Sequence, residues 1–155
     1  MMTEAPPEWV FRQHVLETLR GYRTAQTLIT CSELGVFEAL AAGPRTVAEL
    51  AAGLKTTTRG LSLLLNAAVG IGLLEKADER YTNTPLAAAC LAQDGPYYLS
   101  HFVKREGAFY RRWSHLTAAV KTGQRPKENT RDEEPDDWVR GFELALYSSE
   151  QWSVN

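Results

Sequence analysis

The stretch Thr46–Thr84, "TVAELAAGLKTTTRGLSLLLNAAVGIGLLEKADERYTNT", decides how this chain is read. Thr46 and Glu49 form a T-x-x-E capping box, in which each side chain can satisfy an orphan amide of the other's turn. It starts a helix through Leu50, Ala51 and Ala52 that Gly53 is expected to close. Thr56, Thr57 and Thr58 offer N-caps for a second helix, "RGLSLLLNAAVGIG", which Gly70 and Gly72 weaken. "LLEKADERYTNT" then reads as a short strand, a turn at Ala77-Asp78-Glu79 and a second strand centred on Tyr81. Thr84 and Pro85 supply an N-cap and a first-turn proline for the short apolar helix "LAAACL". Helix, turn, helix and two-stranded wing make residues 46–84 a winged helix-turn-helix core.

That shape most often reads DNA, and charge tests whether this one does. Phosphate contacts supply most of the affinity of such domains, commonly through roughly six to ten neutralised phosphates. Between Thr46 and Thr84 the cations are Lys55, Arg59, Lys76 and Arg80, and the acids are Glu49, Glu75, Asp78 and Glu79, so the local sum is zero. After Arg59 the candidate recognition helix offers only Ser62 and Asn66 as polar side chains, and a helix apolar nearly all round is expected to be buried. The expectation is a scaffold that binds no nucleic acid.

Outward from the core, Trp9, Val10, Val15, Leu16 and Leu19 fall mainly on one helical face. Gly21 is expected to bend this helix before a second apolar run of Ala25, Leu28, Ile29 and Leu34. Val36, Phe37 and Leu40 then sit on a short helix that Gly43 and Pro44 should end. Beyond the wing, Phe102, Phe109, Trp113, Leu116 and Val120 recur at separations of seven, four, three and four, the stripe of a single aromatic helix expected to pack mainly as core. "KTGQRPKENTRDEEPDD" reads as an exposed connection. A last helix opens with Pro135, Asp136 and Asp137 and is lined by Trp138, Phe142, Ala145, Leu146 and Ser149.

With 155 residues, 44% of them hydrophobic, the chain can build one compact domain, expected over 9–155 behind a flexible leader at 1–8. The net charge of −2 supplies no overall basic field for nucleic acid or an anionic membrane. Cys31 and Cys90 stand far apart with no CxxC pair, which suggests reduced, buried thiols. The amino terminus lacks a basic start followed by an apolar run, and no stretch has transmembrane length. A cytoplasmic protein that engages no membrane is expected.

The ordered set "TVAELAAGL", "RGLSLLLNAAVGIGLLEK", "RYTNTPLAAACL", "WSHLTAAVKTG" and "DDWVRGFELAL" resembles the amino-terminal dimerisation domain of class I S-adenosylmethionine-dependent small-molecule O-methyltransferases of the bacterial polyketide, hydroxyneurosporene and acetylserotonin type. The resemblance covers about Trp9 to Tyr147. It implies a mainly α fold, with helices added before and after the winged helix, and an intertwined homodimer. It also implies a parent enzyme in which a Rossmann-like domain holds S-adenosylmethionine and the catalytic histidine. That domain is expected to be absent from this chain, which by itself should bind no cofactor and be inactive. In the family the aromatic helix and the last helix border the acceptor pocket, so Trp113, Phe142, Leu146 and Tyr147 would wall a small aromatic substrate, bound only together with the missing domain. Asn66 departs from the pattern, since relatives often carry arginine there, and this removes a local salt bridge.

Other site signals are weak. "GIG" at Gly70–Gly72 lacks a preceding strand, so it does not read as a cofactor loop. His14, His101 and His115 stand at no metal-pair spacing, and Ser32, Ser114 and Ser148 have no nucleophile-elbow context. No catalytic residue and no metal site are assigned. Two other classes stay open: a winged-helix transcriptional regulator and a stand-alone dimeric interaction module.

Overall fold

The computed structural model of the chain describes residues 8–124. It opens with α1 (Glu8–Leu34), a continuous helix of 27 residues, about 40 Å long at the usual rise. Gly21 does not bend it. One glycine in a helix interior costs roughly 1 kcal/mol against alanine, too little to interrupt the more than three turns on either side. Gly35, at φ 75°, takes the left-handed conformation that separates α1 from α2 (Val36–Ala39).

Next come β1 (Arg45–Thr46), α3 (Val47–Gly53), α4 (Thr58–Gly70), β2 (Leu74–Ala77), β3 (Arg80–Asn83) and α5 (Pro85–Cys90). The three antiparallel strands run in the order β1-β3-β2, with Arg45 opposite Tyr81 and Lys76 opposite Tyr81 on the other side. β1 is a strand the sequence did not announce, because two residues carry no alternation to read. Its Thr46 is also the α3 N-cap, and the capping box with Glu49 is complete. Thr57 caps α4 and Thr84 caps α5, with Pro85 in the first turn, as the caps predicted.

The close of α3 differs from expectation. Gly53 stays helical, and Lys55 takes the left-handed position at φ 53° while the Thr56 amide donates to the Ala51 carbonyl. This is a glycine-type C-cap built on a lysine. The wing turn is two residues, Asp78 and Glu79, at φ 47° and 60°; paired positive φ values are what a tight hairpin of this hand demands.

The expected single aromatic helix is two: α6 (Ser100–Trp113) and α7 (Leu116–Thr122). At the break, the Ser114 hydroxyl donates to the Arg111 carbonyl at 2.6 Å and the His115 amide bonds back only three residues, to Arg112. The local side-chain bond competes with the α-helical ladder, and the periodicity, which reads apolar positions alone, passes over it.

The core lies where α1, α2, α3, α4 and the wing meet, around Cys31, Phe37, Leu50, Leu65, Leu74 and Tyr81, all essentially solvent-free. Asn83 Nδ2 donates to the Phe37 carbonyl at 2.9 Å, locking the wing to α2. Arg80 donates to the Pro44 carbonyl and pairs with Glu49 at 3.3 Å, tying β3 to the start of α3.

Candidate dimer interface

The two halves of α1 have opposite fates. Its last turns carry buried Ile29, Cys31 and Ser32 and pack on α2, α4 and α6. From Phe11 to Ala25 every residue is exposed, so about four turns project beyond the body of the domain. Phe11, Val15, Leu19 and Tyr22 lie along this projection, with Val15 at 63% and Leu19 at 64% exposure. An isolated helix of this length is marginal in water, and its stability in proteins comes from packing an apolar face.

α6 approaches α1 closely at Gly107: a Cβ there would stand 2.9 Å from Ile29 Cγ2 and 3.2 Å from Glu33 Oε1. Ser100, Val103 and Gly107 form the buried face of α6. The stripe expected to be core lies on the other side. Trp113 is 67% exposed, and Phe102, Leu116 and Val120 are exposed as well. The periodicity identified a real apolar face but could not tell which of the two faces of α6 meets the domain. Val103 and Gly107 were missed because a valine and a glycine amid charged residues make no stripe.

The outward face of α4 corrects a further expectation. Leu61, Leu65 and Ala68 are buried, yet Gly60, Leu63, Asn66 and Ala67 face solvent, Leu63 at 66%. Where a DNA-reading helix carries cations, this one shows small and apolar side chains. Of the cations nearby, Arg80 pairs with Glu49 and Lys76 with Glu79 at 3.1 Å. The Glu49 carboxyl is held below its usual range by the Thr46 amide first, then the Thr46 hydroxyl and the nearby Arg80 and Arg45 charges.

Of the four expected pocket-wall residues, Trp113 ends α6 with its indole exposed; Phe142, Leu146 and Tyr147 lie outside the described residues. Gly70–Gly72 leaves a helix and enters a strand, the reverse of the strand, glycine loop and helix that cradle a nucleotide cofactor, so these residues do not fit S-adenosylmethionine. Among the described residues no helix is long and apolar enough to cross a membrane.

The winged helix, with α1 before it and α6 behind it, has a known counterpart. The O-methyltransferase dimerisation domain family matches residues 16–93. The chain belongs to that family. It is 34% identical to acetylserotonin O-methyltransferase of Macaca mulatta over 159 aligned positions, covering 90% of this chain and 45% of that protein. It is 39% identical over 118 positions to 3-hydroxy-5-methyl-1-naphthoate 3-O-methyltransferase of Streptomyces sahachiroi, covering 76% and 34%. The crystal structure of human N-acetylserotonin methyltransferase in complex with SAM superposes with a TM-score of 0.75 at 30% identity, covering 99% of this chain and 48% of that one. This dimerisation domain therefore spans less than half the length of these relatives.

Proposed function

We propose that this chain is the dimerisation and acceptor-pocket-wall domain of an S-adenosylmethionine-dependent O-methyltransferase acting on a small aromatic or polyketide-like hydroxyl. The relatives named above act on acetylserotonin and on a hydroxynaphthoate, and one neighbour is bound to SAM, which supports the substrate class and the cofactor. Methyl transfer needs a sulfonium donor held against an oxygen nucleophile and a base for its proton. In this reading those groups belong to a region beyond the residues here, and this domain pairs two subunits and lends aromatic surface, Trp113 with Phe142, Leu146 and Tyr147, to the acceptor. Large rigid rings suit that task, burying much area with few torsions to freeze.

The observation that carries the homodimer is the bare first half of α1. Apolar area removed from water contributes roughly 25 cal/mol per Å², so leaving Phe11, Val15, Leu19 and Tyr22 solvated forgoes several kcal/mol, comparable with the net stability of a small domain. A second copy related by a two-fold axis can cover the same patch with itself, and helices that project this far interlock when they do so. Light scattering over a dilution series tests it, with a Val15→Asp, Leu19→Asp double variant. Both positions lie outside the core, so the variant keeps its fold. The wild type should remain a dimer at micromolar concentration and the variant should run as a folded monomer. A wild type that is folded, soluble and monomeric at that concentration refutes the proposal.

A further inference from the structure

The face of α6 opposite Val103 and Gly107, exposed at Phe102 and half-buried at Arg105, Phe109 and Arg112, alternates rings and cations. Phe102, Arg105, Phe109 and Arg112 follow at intervals of three, four and three, one side of a helix, opposite buried Val103 and Gly107. The guanidinium carbon of Arg105 lies 4.4 Å from the centroid of Phe102 and 5.8 Å from that of Phe109; that of Arg112 lies 5.4 Å from Phe109. Arg105 is only 15% exposed, its Nη2 pairs with Glu106 at 3.0 Å, and its Nε is buried without a hydrogen-bond partner. α6 carries Lys104, Arg105, Arg111 and Arg112 against the single acid Glu106, in a chain whose overall charge is −2.

We propose that this face is a subsite for an aromatic carboxylate, whose ring packs on Phe102 and Phe109 while its carboxylate pairs with Arg105. The proposal rests on the acceptor-wall reading above and deepens it by naming the charge of the acceptor. A guanidinium held between two rings is oriented before any ligand arrives, and its planar fork matches a carboxylate better than a lysine ammonium does. A carboxylate can take the place of Glu106 on Arg105 Nη2, whereas a neutral ring of the same size makes no ion pair there. Glu106 is half exposed and can turn to solvent when a ligand carboxylate takes its place. The net positive charge of α6 attracts an anion along the same path.

The test is calorimetric titration of the 155-residue chain with 1-naphthoate and with 1-naphthalenemethanol, which share a ring system and differ in charge. The naphthoate should bind at least about tenfold more tightly. Arg105→Gln should bring the two within about twofold, and Arg105→Lys should keep part of the preference, since it retains the charge and loses the fork. Melting and light scattering accompany each variant; should Arg105→Gln lose its fold, Arg105→Lys carries the comparison. Equal binding of the two probes to the wild type overturns the carboxylate subsite and leaves the aromatic-wall reading standing. A preference untouched by substitution at Arg105 also overturns it. No binding of either probe overturns the subsite but leaves the wall reading standing, since that reading concerns the acceptor site completed by the region beyond this chain, and the dimer is judged separately by scattering.

Discussion

The Tyr81 hydroxyl donates to Asn66 Oδ1 at 2.8 Å, joining the central wing strand to the middle of α4. Tyr81 is 1% exposed, so its hydroxyl depends on that one acceptor, and Lys76 Nζ sits 5.4 Å from the centroid of the same ring. Position 66, where a salt bridge was expected to be lost, holds a neutral hydrogen bond that a shorter side chain makes from the helix surface.

Asn66→Ala leaves a buried hydroxyl without its acceptor, which costs about 1–3 kcal/mol. Tyr81→Phe removes donor and penalty together and should cost about 1 kcal/mol. Chemical denaturation of the two single variants and the double variant checks this. The double variant should be more stable than the sum of the singles predicts, and strict additivity would mean that the bond contributes nothing.

Gly107→Ala should destabilise the domain, although alanine is the better helix former. The added methyl meets the branched Ile29 side chain at 2.9 Å, a contact that forces α6 away from α1. Overpacking costs about 1–3 kcal/mol against a propensity gain of about 1, so a net loss on the order of 1 kcal/mol is expected in thermal melts.

Lys55→Gly and Glu79→Gly should each stabilise the chain, because both residues hold φ values of 53° and 60° that cost an L-residue energy. The gain should be about 0.5–1 kcal/mol at Lys55. It should be smaller at Glu79, where the exposed pair with Lys76 is lost, worth about 0–1 kcal/mol. A denaturation midpoint that falls in both variants contradicts this.

Burial pushes the Cys31 thiol up to about 12. The native thiol stays protonated where an unfolded one, with pKa about 8.5, ionises, so the unfolded state binds fewer protons in that interval. Stability is therefore intact below about 8.5 and falls as the pH rises toward 12. Stability measured at pH 7.5 and pH 10 should decline in the wild type and decline less in Cys31→Ala. A thiol reagent at pH 8 should reach Cys31 only after denaturant is added.

Local chemistry made much of this domain legible from the sequence alone. Thr46 with Glu49, Thr57, Thr84 and Pro85 each act within three or four residues, so caps and helix starts follow from adjacency. The wing was readable for the same reason, since Ala77 and Arg80 bracket a turn of two residues. The resemblance to O-methyltransferase dimerisation domains rested on the order of such local pieces. Tertiary structure decided what periodicity cannot weigh. The two-residue strand β1 exists only because β3 offers it an edge, and Lys55 adopts a glycine conformation because α3 and α4 must turn there. Which face of α6 is core was settled by Gly107, whose missing side chain lets Ile29 approach and turns Phe102 and Trp113 outward. Hydrophobicity is a property of each residue, but burial belongs to the pair of surfaces that meet. The apolar first half of α1 was therefore visible as a stripe in the sequence, and only the fold shows that this domain leaves it bare.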